Sequence, residues 1–190
     1  MKVFFNASLS GKKKFGANYK LIDKAIRRAG HDMVASPVVS KEAETTDWTD
    51  PKAASAYYKK VKDWTKKAEL VVFEVSYPST SIGFEVAMAL SAGKPVIAFH
   101  AVDAPENFVF ENIQNDRFQM LEYRLSEVEQ VVAEAITYAT SQADTRFNFF
   151  ISPDIGAYLD WVSKVRKLPR AVFLRRVIEQ DMAKHKEFEG

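Results

Sequence analysis

The feature that most constrains this 190-residue chain is an alternation. Short, nearly unbroken apolar runs recur along most of its length, each followed by a segment with helical spacing. Lys2–Asn6, Leu70–Val75 and Val96–Phe99 are runs of this kind, and Met33–Ala35 and Phe118–Leu121 are weaker ones. A strand apolar at nearly every position is buried on both faces, as in a parallel sheet covered by helices. Between the runs, Tyr19, Ile22, Ala25, Ile26 and Ala29 share one helical face, and Gly30 ends that helix. Asp50-Pro51 reads as an N-cap with proline at the first helical position, ahead of Ala54, Tyr57, Tyr58, Val61 and Trp64. Ile82–Ala92 is expected to be a helix stopped by Gly93, and Val128–Ala139 another.

The expected fold class is therefore α/β, a five-stranded parallel Rossmann-like sheet with helices on both faces. A different unit follows. Thr140-Ser141-Gln142-Ala143-Asp144-Thr145 is small and polar and reads as a linker. Arg146–Ile151 alternates like a strand, Ser152-Pro153-Asp154 caps a helix running to about Lys167, and Leu168-Pro169 breaks it before a second helix from Arg170 to about Lys186. Strand-helix-helix in so few residues does not bury a core alone. It must pair with a copy of itself or pack on the first domain. The domains are expected at 1–140 and 145–190. Charge divides the same way: residues 1–140 hold 18 basic and 18 acidic side chains, and the remainder 9 and 7, giving the chain its net +2.

Several function classes are excluded early. With no cysteine there are no disulfides, Cys-based zinc sites or cysteine nucleophile. No apolar run reaches the roughly 18–20 residues of a membrane-spanning helix. The N-terminus also lacks the apolar stretch of a signal peptide, so a soluble, cytoplasmic protein is expected. No G-x-G-x-x-G and no P-loop occurs. His31, His100 and His185 show no metal-ligand spacing, so neither metal nor cofactor is expected. Trp48, Trp64 and Trp161 read as core or interface residues.

Ligands of open α/β sheets bind at the carboxyl ends of the strands. Two loops qualify: Ala7–Lys12, within a predicted loop Ala7–Gly16, and Ser76–Glu85. Their small and hydroxylated residues let backbone N–H groups approach an anion, aided by the following helix N-terminus. Glu85 is expected in the first turn of its helix, where the dipole keeps a carboxylate ionised. That suits a nucleophile, and it equally describes an ordinary glutamate stabilising its helix.

The segment Ala68-Glu69-Leu70-Val71-Val72-Phe73-Glu74-Val75-Ser76-Tyr77-Pro78-Ser79-Thr80-Ser81-Ile82-Gly83-Phe84-Glu85 resembles the signature of the nucleoside 2-deoxyribosyltransferase superfamily, and most closely its branch of 2′-deoxynucleoside 5′-phosphate N-hydrolases. Phe4-Phe5-Asn6-Ala7-Ser8-Leu9-Ser10-Gly11 resembles that branch's first strand and loop, and Arg117–Tyr123 its last strand. The resemblance spans roughly residues 1–140. It implies that Glu85 attacks C1′ of a nucleoside or nucleotide and displaces the base, forming a covalent glycosyl-enzyme resolved by water or another base. The physics would be that of a retaining glycosidase. It also implies that Ser79 and nearby amides hold a 5′-phosphate. Asn6, Ser8, Ser10, Gly11, Ser76, Ser81 and Gly83 would complete the substrate pocket.

The departures from that pattern are specific. The branch's first-strand tyrosine aligns with Phe4, which has no hydroxyl. Its second acid, which assists the leaving base, aligns with Val61, and Asp63 points about 200° away around the helix. A phosphate-contacting serine lent by a neighbouring subunit aligns with Asp116. The loop's arginine aligns with Ser10, near Lys12–Lys14. Loss of acid–base assistance typically costs about 10²–10⁴ in rate. Asp47, Asp50 and a partner chain's carboxylate are the candidates for the role vacated at Val61.

The tail resembles a ribbon-helix-helix domain through Arg146–Ser152, Tyr158-Leu159, Trp161-Val162 and Phe173–Ile178. In that family paired strands enter the DNA major groove. The resemblance implies base reading by Arg146, Asn148 and Phe150, with Lys167, Arg170 and Arg175 at phosphates. Phe150 at a reading position, and Pro169 and Ala171 at the start of the second helix, fit a dimerisation arm equally well. Two expectations result. One is an N-glycosidase or deoxyribosyltransferase acting on a small-molecule nucleoside or nucleotide, assembled as a homodimer or higher homo-oligomer. The other is a catalytically weakened nucleotide sensor that binds DNA through its tail.

Overall fold

The structure is a computed structural model, and it describes residues 1–40, 42–141, 151–166 and 170–185. The chain divides into two compact units, Met1–Asp144 and Thr145–Gly190.

In the first unit, β1 (Lys2–Ala7), β2 (Asp32–Ala35), β3 (Leu70–Glu74), β4 (Val96–Ala101) and β5 (Phe118–Tyr123) form one parallel sheet in the order β2-β1-β3-β4-β5. The helices between and after them are α1 (Lys12–Arg28), α2 (Pro51–Lys67), α3 (Thr80–Ser91), the single turn α4 (Phe108–Glu111) and α5 (Val128–Ser141). The α/β class and the five parallel strands agree with the expectation from sequence.

Strand periodicity sorts the core into two layers. Val3, Phe5, Leu70, Val72, Ile97 and Phe99 pack with residues of α1 and α5. Phe4, Val71, Phe73, Val75, Val96 and Ala98 pack with residues of α2 and α3. β1, β3 and β4 thus supply both faces, which is why their sequences are nearly unbroken apolar runs. α1 buries Phe15, Tyr19, Ile22, Ala25 and Ile26 along one stripe. Gly30 and Gly93, at φ 82° and 71°, turn the chain after α1 and α3, the left-handed geometry that glycine adopts without strain.

The element starts differ from expectation at two places. α1 begins at Lys12, so the predicted loop Ala7–Gly16 is confined to its first few residues. α3 begins at Thr80 because the Ser79 Oγ accepts the Ile82 N–H at 3.4 Å, capping the helix two residues early. Among the described residues, no helix is long and apolar enough to cross a membrane, and no group of His, Asp or Glu could hold a metal ion.

The second unit holds α6 (Pro153–Arg166) and α7 (Arg170–Met182). Ser152 Oγ accepts from the Ile155 N–H at 3.3 Å, as the expected cap. Leu159 and Val162 are buried, and Tyr158 contacts Trp161 and Phe173 at ring-centroid distances of 5.9 and 6.2 Å. The predicted strand Arg146–Ile151 lies outside the described residues except for Ile151, which is exposed and in neither helix nor strand. Arg146, Asn148, Phe150 and Lys167 therefore also lie outside them. Arg175 falls within α7, its side chain outside the described set. Arg170 is exposed and ion-paired with Asp160.

Candidate active site

The chain runs from β1 to β2 on one side and then crosses β1 to place β3 on the other. This reversal opens a crevice at the carboxyl ends of β1 and β3, where open α/β sheets bind ligands. A cavity of about 210 Å³ lies there. The end of β1 and its loop supply Asn6, Ala7, Ser8, Leu9 and Ser10; α3 and its cap supply Ser79, Ser81, Ile82 and Glu85. Ala43, Trp48 and Tyr57 complete the lining.

Asn6 and Glu85 are 79 residues apart in sequence and touch. Asn6 follows Phe4 by two positions, so its side chain emerges on the same sheet face, toward α2 and α3. Its Nδ2 donates to Glu85 Oε2 at 2.8 Å. Glu85 is only 6% exposed, and Asn6 is buried too, at 3%. Burial pushes the Glu85 carboxyl up to about 7, with the Asn6 hydrogen bond opposing that rise. This corrects the expectation of a dipole-stabilised, fully ionised glutamate. With α3 starting at Thr80, Glu85 stands in the second turn, and desolvation dominates over the helix dipole. The group is poised to change protonation near neutrality, and when ionised it is a weakly solvated carboxylate facing a cavity.

Of the other expected pocket residues, Asn6, Ser8, Ser10, Ser79 and Ser81 line the cavity, whereas Gly11, Ser76 and Gly83 do not. Gly11 is instead a packing glycine: a Cβ there would stand 2.5 Å from both Tyr19 Oη and Tyr77 Cβ. Its amide donates to Ser8 Oγ at 3.3 Å, so it shapes the loop from behind. A Cβ on Gly83 would meet nothing within 4 Å. Ser76 is buried beneath the sheet end, where its Oγ donates to Glu74 and accepts from the Ala101 N–H at 2.7 Å.

That serine belongs to a second polar centre. Glu74 is fully buried at the end of β3, and alternation sends it to the α1/α5 side of the sheet, away from Glu85. Tyr123 Oη donates to Glu74 Oε1 at 3.0 Å, and Asn18 Nδ2 donates to Tyr123 Oη at 2.7 Å. Burial raises Glu74 to about 7, opposed by its hydrogen bonds from Ser76 and Tyr123. The sequence held one signal for it, an acid inside a run otherwise buried on both faces.

The departures from the expected catalytic pattern stand out in the fold. Phe4 is wholly buried against Trp64 and Phe73, and Val61 is wholly buried in the same layer. Asp63 and Asp116 are exposed. Neither Asp47 nor Asp50 lines the cavity: Asp47 accepts from Thr49, and Asp50 caps α2. His100 is buried with Nε2 3.0 Å from the Pro105 carbonyl, a structural histidine. Trp64 is core, while Trp48 is half-exposed on the cavity wall and Trp161 is exposed. Sequence reasoning missed Trp48 and Tyr57 as site residues. Tyr57 was findable, since it precedes Val61 by four residues and shares its helical face. Trp48 sits between β2 and α2, where no periodicity marks it.

With this geometry in place, comparison with known proteins gives consistent results. No family model matches the chain. A protein of Methanococcoides burtonii named "Putative 2′-deoxynucleoside 5′-phosphate N-hydrolase 1" is 29% identical over 104 residues, 55% of this chain and 84% of its own. One of the same name from Syntrophotalea carbinolica is 28% identical over 137 residues, covering 72% and 94%. The 5-hydroxymethyl-dUMP N-hydrolase of Rattus norvegicus is 26% identical over 133 residues, covering 68% and 81%. This chain is similar to all three.

Proposed function

We propose that the first unit cleaves the N-glycosidic bond of a nucleoside or nucleotide, as a member of the nucleoside 2-deoxyribosyltransferase-like superfamily, with Glu85 as nucleophile. The observation that carries this reading is a buried carboxylate, Glu85, facing a cavity at the topological switch point and held at 2.8 Å by Asn6. The names of the similar proteins support the substrate class.

The proposed reaction has two steps. The ionised Glu85 attacks C1′, the C1′–N bond breaks, and its electron pair stays on the base nitrogen, which takes a proton from water. Water then attacks C1′, loses a proton, and releases the sugar and Glu85. Transfer to a second base replaces water in that last step. The serine hydroxyls of the cavity suit sugar hydroxyls or a 5′-phosphate, and Trp48 and Tyr57 offer flat apolar surface to a base. The test is to incubate the protein with deoxynucleosides, ribonucleosides and their monophosphates and measure free base. Release that disappears in Glu85→Ala supports the reading, and release equal in both proteins rejects it.

A second reading is a nucleotide sensor that binds without turnover. It is favoured by the apolar burial of Phe4 and Val61, where the related pattern places a hydroxyl and an acid. Its signature is a monophosphate that raises the melting temperature without being hydrolysed. In this reading the second unit is the output. The exposed Ile155, Tyr158, Trp161 and Val165 of α6 fit self-assembly, and a salt-sensitive gel shift lost in Arg146→Ala plus Asn148→Ala tests for DNA.

A further inference from the structure

We propose that Tyr19 is a positioning residue for the sugar end of the substrate, holding the turn at Ser8 from behind so that the Ser8 hydroxyl donates to an oxygen of the sugar or of its 5′-phosphate. The inference rests on the reading that this cavity receives a nucleoside or nucleotide, and it adds a residue that does not itself line the cavity.

After β1 the chain turns through Ser8, Leu9, Ser10 and Gly11, and the Gly11 N–H closes the turn on the Ser8 carbonyl at 3.1 Å. A carbonyl oxygen has two lone pairs. The second is taken by the Tyr19 hydroxyl, which donates to the same oxygen at 3.2 Å. Tyr19 is 1% exposed and belongs to the buried stripe of α1, so the phenol is anchored in the core and not in the loop it holds. The fit is close at a second point. A Cβ on Gly11 would stand 2.5 Å from Tyr19 Oη, so the phenol occupies the space that a side chain there would need. The same Cβ would stand 2.5 Å from Tyr77 Cβ, so the loop that leads to Ser79 also closes on this point. Burial, and then the nearby Glu74, push the Tyr19 hydroxyl above its ordinary range, which keeps it a protonated donor. Ser8 turns this brace toward the cavity. Its Oγ shares the Gly11 N–H at 3.3 Å, and a hydroxyl whose oxygen accepts in this way has its own proton to give. Ser8 is buried and lines the cavity. The turn orients that donor, and the phenol holds the turn. What such a donor suits is an acceptor oxygen, not the flat face of a base.

Loss of the hydroxyl releases one of the two bonds on the Ser8 carbonyl, and the turn is then free to shift. Sugar binding weakens, while Glu85 and Asn6 keep their own contact on α3 and β1. Tyr19→Phe keeps the ring and its packing and removes only the hydroxyl. Tyr123→Phe is the matched control. It removes another buried phenol hydroxyl from the same core layer, one bonded to Glu74 and Asn18 and not lining the cavity. A purely structural role for Tyr19 would make the two variants alike.

The experiment is a double-mutant cycle on the full chain, with Tyr19→Phe, Ser8→Ala and the two together, and Tyr123→Phe beside them. The probes are 2-deoxyribose 5-phosphate and 2-deoxyribose, their dissociation constants read by titration calorimetry. Base release from the best substrate is followed in parallel. Tyr19→Phe and Ser8→Ala are each expected to weaken sugar binding by about three- to tenfold, and the double variant no further than Ser8→Ala alone. In base release the loss falls on KM, with kcat kept within about twofold. Tyr123→Phe is expected to lose stability in urea yet bind the probes like the unmodified protein. An effect on both probes places the accepting oxygen on the sugar, and an effect confined to the first places it on the phosphate. The proposal is overturned by unchanged binding in either single variant, by losses that multiply in the double variant, by an equal loss in Tyr123→Phe, or by an unmodified protein that binds neither probe at millimolar concentration. The expected binding pattern in a protein that releases no base upholds the role of Tyr19 and rejects the glycosidase reading.

Discussion

In the proposed reading the contact between Asn6 and Glu85 sets the chemistry of the site, because a buried glutamate is a usable nucleophile only if something favours its ionised form. In Asn6→Ala the Glu85 carboxyl loses its one opposing influence against desolvation. Base release at neutral pH is then expected to fall by about 10–100-fold, the range of a hydrogen bond to a charged group. The rising limb of the pH–rate profile should move to higher pH. An unchanged limb would mean that Asn6 does not govern Glu85. Gly11 makes a prediction of another kind. In Gly11→Ala the new methyl meets Tyr19 and Tyr77, so the variant is expected to lose about 1–3 kcal/mol in a urea titration. The placement of Glu85 beside a cavity was legible in the sequence, through the hydroxylated loop before it. Its protonation was not, because desolvation depends on what covers the side chain, and that cover comes from β1 and α2. The same holds for Tyr57, which joins Asn6 in the cavity lining only once α2 packs against the sheet.

At the scale of elements, the strands were the most legible part. β1, β3 and β4 are buried along nearly their whole length, so their sequences are unbroken apolar runs that few other elements share. Helix starts were less legible at α1 and α3. Gly11 leads α1 without a side-chain cap bond, and the hydroxyls after Ser79 resemble a loop although they are helical. The single turn α4 is too short to show any periodicity. The start of α2 was legible, since its signal is chemical. Asp50 accepts from the Lys52 and Ala53 amides at 2.9 and 3.3 Å, with Pro51 at the first helical position. Asp50→Ala is expected to cost about 1 kcal/mol of stability. Because α2 carries Tyr57, the variant should also loosen the cavity wall, visible as a raised KM.

Among the described residues, Glu74 and Glu85 are buried carboxyls on opposite faces of one sheet, both raised to about 7, whereas the buried Asp23 is ion-paired with Arg27. Each glutamate holds a proton in the folded state between about pH 4.5 and 7, where the unfolded chain has released it. The contribution of each to stability is therefore complete at low pH and declines as pH rises through that window, by roughly 3 kcal/mol per group for a shift of this size. Glu74→Gln removes one of the two. The decline in unfolding free energy from pH 5 to pH 8 is expected to be shallower in this variant, and an identical slope would contradict the assignment. The chain divides into compact units at Asp144, and its composition and charge change over residues 140–145. What the second unit does was not legible, because its basic residues fit an assembly arm and a DNA reader alike. The central claim concerns Glu85, and the most direct test is free-base release across pH 5–9 by the unmodified protein and Glu85→Gln, with a panel of nucleosides and their 5′-monophosphates. The expected result is release that climbs through about pH 7 in the unmodified protein and falls by at least about 10²-fold in Glu85→Gln. Equal release by both proteins, or release that does not vary with pH, would contradict it.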